Sequence, residues 1–120
     1  MLGAVSVCLG AFAAHSLKQL FSVDEMQIFE TGVKYQFYHV FALLAVGVLY
    51  QHFPVKKMIW AGNLFIAGIA LFSGSLYLLS FAKFHQLNFN WLGAITPFGG
   101  VCFIVGWVLM VVAVGKKTNP

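Results

Sequence analysis

Six residues in the first third of the chain carry side chains suited to moving a proton or holding a metal: His15, Glu30, Lys34, Tyr35, Gln36 and His39. Histidine titrates near neutrality and serves both as a relay and as a metal ligand. On a helix, Tyr35 and His39 lie one turn apart, as do Gln36 and His39. Glu30 and Lys34 sit at i, i+4 in the favourable order, worth about 0.2–0.5 kcal/mol in water. These groups run without a break into the apolar stretch "VFALLAVGVLY" (Val40–Tyr50). Ionisable groups at membrane depth are costly and point to function by default. Three readings are open. In one, the groups tie two helix ends together at the membrane interface. In another, His15, His39 and Glu30 form a protonatable or metal-binding cluster. In the third, His15 and His39 ligate a haem axially, although no local haem signature accompanies them. His52 and His85 fall in polar breaks and read as solvated or interfacial.

Further motifs lie within apolar tracts. "LFSGSLYLLS" places Ser73, Gly74, Ser75, Tyr77 and Ser80 in one of them. Its hydroxyls either bond the carbonyls of the preceding turn and aid packing or line a polar path. "ITPFGG" reads as a helix start, with Thr96 as cap and Pro97 at the first helical position. Gly99 and Gly100 then allow a neighbouring helix to approach, and the free amides at such an end suit an anion. Small residues recur at helical spacing at Gly3, Ser6, Gly10 and Ala14, at Ala67, Ala70 and Gly74, and at Gly99, Cys102 and Gly106. Lipid gives no hydrophobic drive for helix pairing, so such faces form seams within a bundle or between subunits.

The elements that position these residues follow from composition. The chain is 61% hydrophobic and 8% charged, against about 45–50% apolar and about 25% charged in soluble domains. A soluble chain of 120 residues could not bury that much apolar surface; a bilayer covers it. The apolar tracts do not alternate with polar residues as spanning strands would, so they are helices. The spans run over about 1–17, 36–52, 58–82 and 95–114, separated by the polar breaks "QHFPVKK" and "KFHQLNFN". The apolar run 1–14 covers roughly 21 Å of a hydrocarbon core about 30 Å thick, so the first span extends through His15–Leu17 or continues upstream. Residues 23–37 form an amphipathic lead-in to the second span. Ser22 or Asp24 caps it, and Met26, Phe29, Val33 and Phe37 make its apolar stripe. It continues into the span, with Gly32 as a tolerated weak point. The expected fold is all-α: an integral membrane bundle of four transmembrane helices with this lead-in.

Net charge is +4, from lysines alone. They are scattered between apolar tracts and no arginine is present, which argues against nucleic acid as a partner. Lys56, Lys57, Lys116 and Lys117 share one side of a four-span chain, and Lys18, Lys34 and Lys83 the other. The positive-inside rule then puts both termini in the cytoplasm. Cys8 and Cys102 lie in apolar tracts and read as packing residues. No basic n-region marks a signal peptide. No nucleophile–base pair or metal-ligand spacing is present, so no catalytic residue, metal or cofactor is expected. The function expected is a non-enzymatic accessory or envelope-integrity factor in the membrane. The alternative is a small transporter or channel component using the His/Glu cluster. Its partners are the lipid bilayer and either further copies of itself or a larger membrane complex.

Taken together, "LGAFAAHSLK", "FETGVKYQFYHVFALL", "FSGSLYLL", "LGAITPFGG" and "GW" (Gly106–Trp107), in this order along nearly the whole chain, resemble the YgdD-like family. These are small four-helix inner-membrane proteins, domain-of-unknown-function family 423, with mitochondrial relatives. Ala13 stands where the family's first motif usually has glycine. The resemblance implies four transmembrane helices in an inner membrane, with no established catalytic site and no agreed molecular activity. Its motif positions are Gly10, His15, Glu30, Tyr35, Gln36, His39, Ser73, Gly74, Ser75, Tyr77, Thr96, Pro97, Gly99 and Gly100.

Overall fold

The computed structural model describes residues 1–117. Four helices follow one another. α1 spans 2–20, made of Leu2–Phe12, one π turn over Ala13–Leu17 and a last turn Lys18–Leu20. α2 is Val23–His52. α3 is Lys56–Phe84, with a π turn at Ile69–Ser73. α4 is Leu92–Lys117. No strand occurs among the described residues. Val23–His52, Lys56–Phe84 and Leu92–Gly115 are each long and apolar enough to cross a bilayer, yet only 28%, 33% and 28% of their most apolar windows are buried. The remaining apolar surface faces outward. Phe41, Leu44, Val48, Ile104 and Val111, for example, are exposed. This is the inverse of a soluble domain and fits a hydrocarbon solvent.

The lead-in and the second span form one helix, as the continuous stripe requires. Ser22 caps it: Glu25 N–H donates to Ser22 Oγ at 3.3 Å, and Ser22 N–H donates to Glu25 Oε2 at 2.6 Å. This reciprocal capping box satisfies two of the helix's orphan donors. Gly32 within this helix is a point of close approach rather than a weak point. A Cβ there would lie 2.7 Å from the Tyr77 ring and 3.3 Å from the Ser73 carbonyl oxygen.

The α3–α4 seam runs on glycines. A Cβ at Gly99 would strike the backbone nitrogen of Phe72, and one at Gly68 the Phe103 ring. At Gly106 it would come within 2.8 Å of Phe65. The expected third-span face of Ala67, Ala70 and Gly74 is not the seam: Gly74 has open space around it and Ala70 is exposed. The seam uses Ala61, Phe65 and Gly68 instead, a different stripe of the same helix. On α1 the inward small residues are Ser6, Gly10 and Ala13, while Ala14 is exposed.

The start of α4 differs from expectation. α4 opens at Leu92, so Thr96 and Pro97 lie inside it rather than at its start. The residues Phe89–Trp91 accept from the Leu92, Gly93 and Ala94 amides at 3.0–3.1 Å. The first amides are thereby occupied, and "ITPFGG" is neither the helix start expected nor a free helix end that would suit an anion. α3 ends in a Schellman motif: Leu87 N–H reaches Ala82 O at 2.8 Å and Gln86 N–H reaches Lys83 O at 3.1 Å. Gln86 takes φ 59° there, a position that favours glycine.

Candidate functional site

The depth of each polar group follows from helix register. Phe103 lies near the middle of the α4 span Leu92–Gly115. The His39 ring stacks on Phe103 with centroids 3.5 Å apart and planes 8° from parallel. His39 therefore sits level with the middle of the α4 span rather than with its end.

His39 is 4% exposed, and both its ring nitrogens are used. Trp107 Nε1–H donates to His39 Nε2 at 3.1 Å. An indole N–H can only donate, so Nε2 accepts. The ring proton is then on Nδ1, which donates to the Tyr35 carbonyl at 2.7 Å. This fixes a neutral tautomer and ties α2 to α4.

One turn away, Gln36 is 2% exposed. Tyr77 Oη donates to Gln36 Oε1 at 2.6 Å, and Gln36 Nε2 donates to the Leu2 carbonyl at 3.3 Å. The bonds link α3, α2 and α1. Ser73 Oγ donates to the Gly32 carbonyl at 2.7 Å, a second α3–α2 tie that needs the missing Cβ of Gly32. Ser75 and Thr96 share a 2.6 Å bond between their hydroxyls, joining α3 to α4. Ser6 and Ser80 bond carbonyls of their own helices at 2.9 and 2.8 Å. Among the described residues no buried side-chain nitrogen or oxygen lacks a partner.

The six-residue cluster expected from spacing is split by the fold. Only Gln36 and His39 turn inward, and they bond to different partners. Tyr35 contributes its carbonyl and packs its ring on Phe72 at 4.8 Å, while Glu30, Lys34 and His15 are exposed. α1 runs antiparallel to α2, with Gly3 against Val40 and Gly10 against Val33. His15 is thus about 16 Å along the axis from the level of His39, eleven residues at 1.5 Å each. The two histidines cannot share a haem iron or a metal. No group of three His, Cys, Asp or Glu side chains suited to a metal occurs among the described residues. Of the second motif set, Ser73, Ser75, Tyr77, Thr96 and Gly99 meet partners at the seams. Gly74 and Gly100 have open space, and Pro97 is exposed. His52 is the last residue of α2, not a loop residue.

Phe103 and Trp107 complete the site without having been candidates. The signal was a tryptophan in the interior of an apolar tract. Trp60 and Trp91, by contrast, stand near helix ends, as a membrane aromatic belt does.

Residues 9–100 match the family model described as "Protein of unknown function (DUF423)". The chain is 43% identical over 121 residues to the UPF0382 membrane protein YwdK of Bacillus subtilis, covering 97% of this chain and 94% of that one. It is 40% identical to the UPF0382 membrane protein SAB0533 of Staphylococcus aureus, over 97% and 93% of the two chains. It is 38% identical to the UPF0382 inner membrane protein YgdD of Escherichia coli, over 92% and 80%. No solved structure matches the chain.

Proposed function

We propose, for a chain that belongs to the DUF423 family of membrane proteins, that the bundle is a non-enzymatic scaffold: an accessory subunit or envelope-integrity factor. One observation carries this reading. The polar side chains buried in the bundle bond helix to helix or back onto their own helix, and among the described residues none is left unpaired. A transport path needs polar groups facing a continuous wet space, whereas these face each other. The test is purification in detergent beside reconstitution into liposomes. His39→Ala is expected to lower the unfolding temperature, while wild-type vesicles leak protons no faster than empty ones. Proton or solute movement that wild type supports and His39→Ala abolishes would overturn the scaffold.

The second reading, a component of a small transporter or channel, draws on one feature. His39 lies level with the middle of the α4 span, beside a groove of about 450 Å³ lined by Tyr35, Tyr38, Phe72, Phe103 and Trp107. Ionisable groups at that depth commonly mark a pathway. The same flux assay separates the two readings. Both termini are assigned to the cytoplasm on the lysine count. A phosphatase fused to the C-terminus is expected to be inactive, and an active fusion would reverse the topology. Open glycines at Gly74 and Gly100 leave outward faces on which further copies or a larger membrane complex would pack.

A further inference from the structure

α3 buries one face against α4 and turns another outward. Its side of the seam uses Ala61, Phe65, Gly68 and Phe72. Two residues on from each of these stand Asn63, Ala67, Ala70 and Gly74. Two residues are about 200° around a helix, so this second stripe points away from α4. Asn63 and Ala70 are exposed, and Gly74 has open space around it.

Asn63 is the anomaly on this face. Residues 58–82 carry no charge, and within them Ser73, Ser75, Tyr77 and Ser80 all find hydrogen-bond partners. The Asn63 carboxamide makes no hydrogen bond among the described residues. Its depth is bounded by the length of the uncharged run. Residues 58–82 rise about 37 Å, and a hydrocarbon core about 30 Å thick fits inside with about 7 Å to spare. Asn63 lies about 7 Å in from Met58. It therefore falls inside the core, or at its edge, for every placement of the core within the run. A lysine at that level would reach water along its stem; the shorter carboxamide does not. An amide without a partner is unfavourable in hydrocarbon.

We propose that the outward stripe of α3 is the contact surface of a homodimer, in which Asn63 of one copy pairs with Asn63 of the second copy. The group itself selects this partner. A carboxamide carries donors and an acceptor, so two of them satisfy each other through a reciprocal pair of bonds. Copies in one bilayer share one topology, and a two-fold axis along the membrane normal brings identical residues together at one depth. A second copy thus presents its carboxamide at the level of the first. An unrelated helix would have to carry a polar group at that same level. Ala67, Ala70 and Gly74 let the two helices approach, and Ala70 with Gly74 has the small-xxx-small spacing of close membrane helix pairs. The small residues shape the contact; Asn63 is what lipid leaves unsatisfied. The dimer requires only that the chain spans a bilayer, whether the bundle is a scaffold or a transport component.

The test is self-association of the full chain, labelled with donor and acceptor dyes and followed by energy transfer in liposomes as the protein-to-lipid ratio is varied. Wild type is expected to dimerise. Asn63→Leu is expected to raise the dissociation constant about tenfold, as the loss of two interhelical hydrogen bonds would. Asn63→Gln, which keeps the carboxamide, should retain most of the association. Gly74→Leu, which fills the approach, should weaken it, whereas Gly100→Leu, at an open glycine of α4, should leave it unchanged. In a chain carrying Cys8→Ala and Cys102→Ala, Asn63→Cys is expected to form a disulfide-linked dimer when native membranes are oxidised. A wild type that stays monomeric at every ratio, an Asn63→Leu variant that dimerises as tightly as wild type, or no cross-link through position 63 overturns the proposal.

Discussion

At the scale of single residues, the decisive positions are those where a side chain is missing or has one bonding state. Gly99 lies against the Phe72 backbone, which cannot move aside as a flexible side chain can. Gly99→Ala is expected to cost about 1–3 kcal/mol, the usual range for overpacking. Gly100→Ala, one residue away with open space around it, should stay within about 0.5 kcal/mol of wild type. Reversible unfolding in detergent measures both. His39 and Gln36 could be singled out from the sequence, because polar groups in an apolar setting need an explanation whatever the fold. Their partners could not. Trp107 and Tyr77 lie 68 and 41 residues away along the chain, and spacing rules within one helix say nothing about contacts at that separation.

At the scale of elements, most helices were visible and their exact limits were not. The stripe of Met26, Phe29, Val33 and Phe37, with Ser22 before it, located α2 well. The start of α4 was placed late because Thr96 and Pro97 imitate a helix entry, while Phe89–Trp91 provide the real one. The π turns in α1 and α3 have no strong sequence signature. The Schellman end of α3 offers a stability test. Gln86 occupies the left-handed region at φ 59°. An L residue there carries a penalty of about 1–2 kcal/mol, offset in part by the larger entropy that glycine loses on folding. Gln86→Gly is therefore expected to stabilise the protein by about 0.5–1 kcal/mol. Gly32→Ala should do the opposite, because its Cβ would push Tyr77 and Ser73 away from α2 and loosen two hydrogen bonds at once. Circular dichroism melts in detergent are the measurement for both.

At the scale of the whole molecule, composition alone gave the solvent. A chain 61% hydrophobic and 8% charged needs lipid around it, and the exposed apolar faces of α2, α3 and α4 agree. What composition could not give was the arrangement of the few polar groups. They were expected as one cluster; Gln36 and His39 instead enter separate cross-helix bonds, while Glu30, Lys34 and His15 are exposed. The bundle's closure rests on these bonds, since α4 packs chiefly on α3 and reaches α2 through Trp107 and His39. The most direct test is a double-mutant cycle on His39→Ala and Trp107→Phe, read by reversible unfolding in detergent. The account expects a coupling energy of about 0.6–1.7 kcal/mol, the range of hydrogen bonds between membrane helices. Additive effects of the two substitutions, with no coupling, would contradict it.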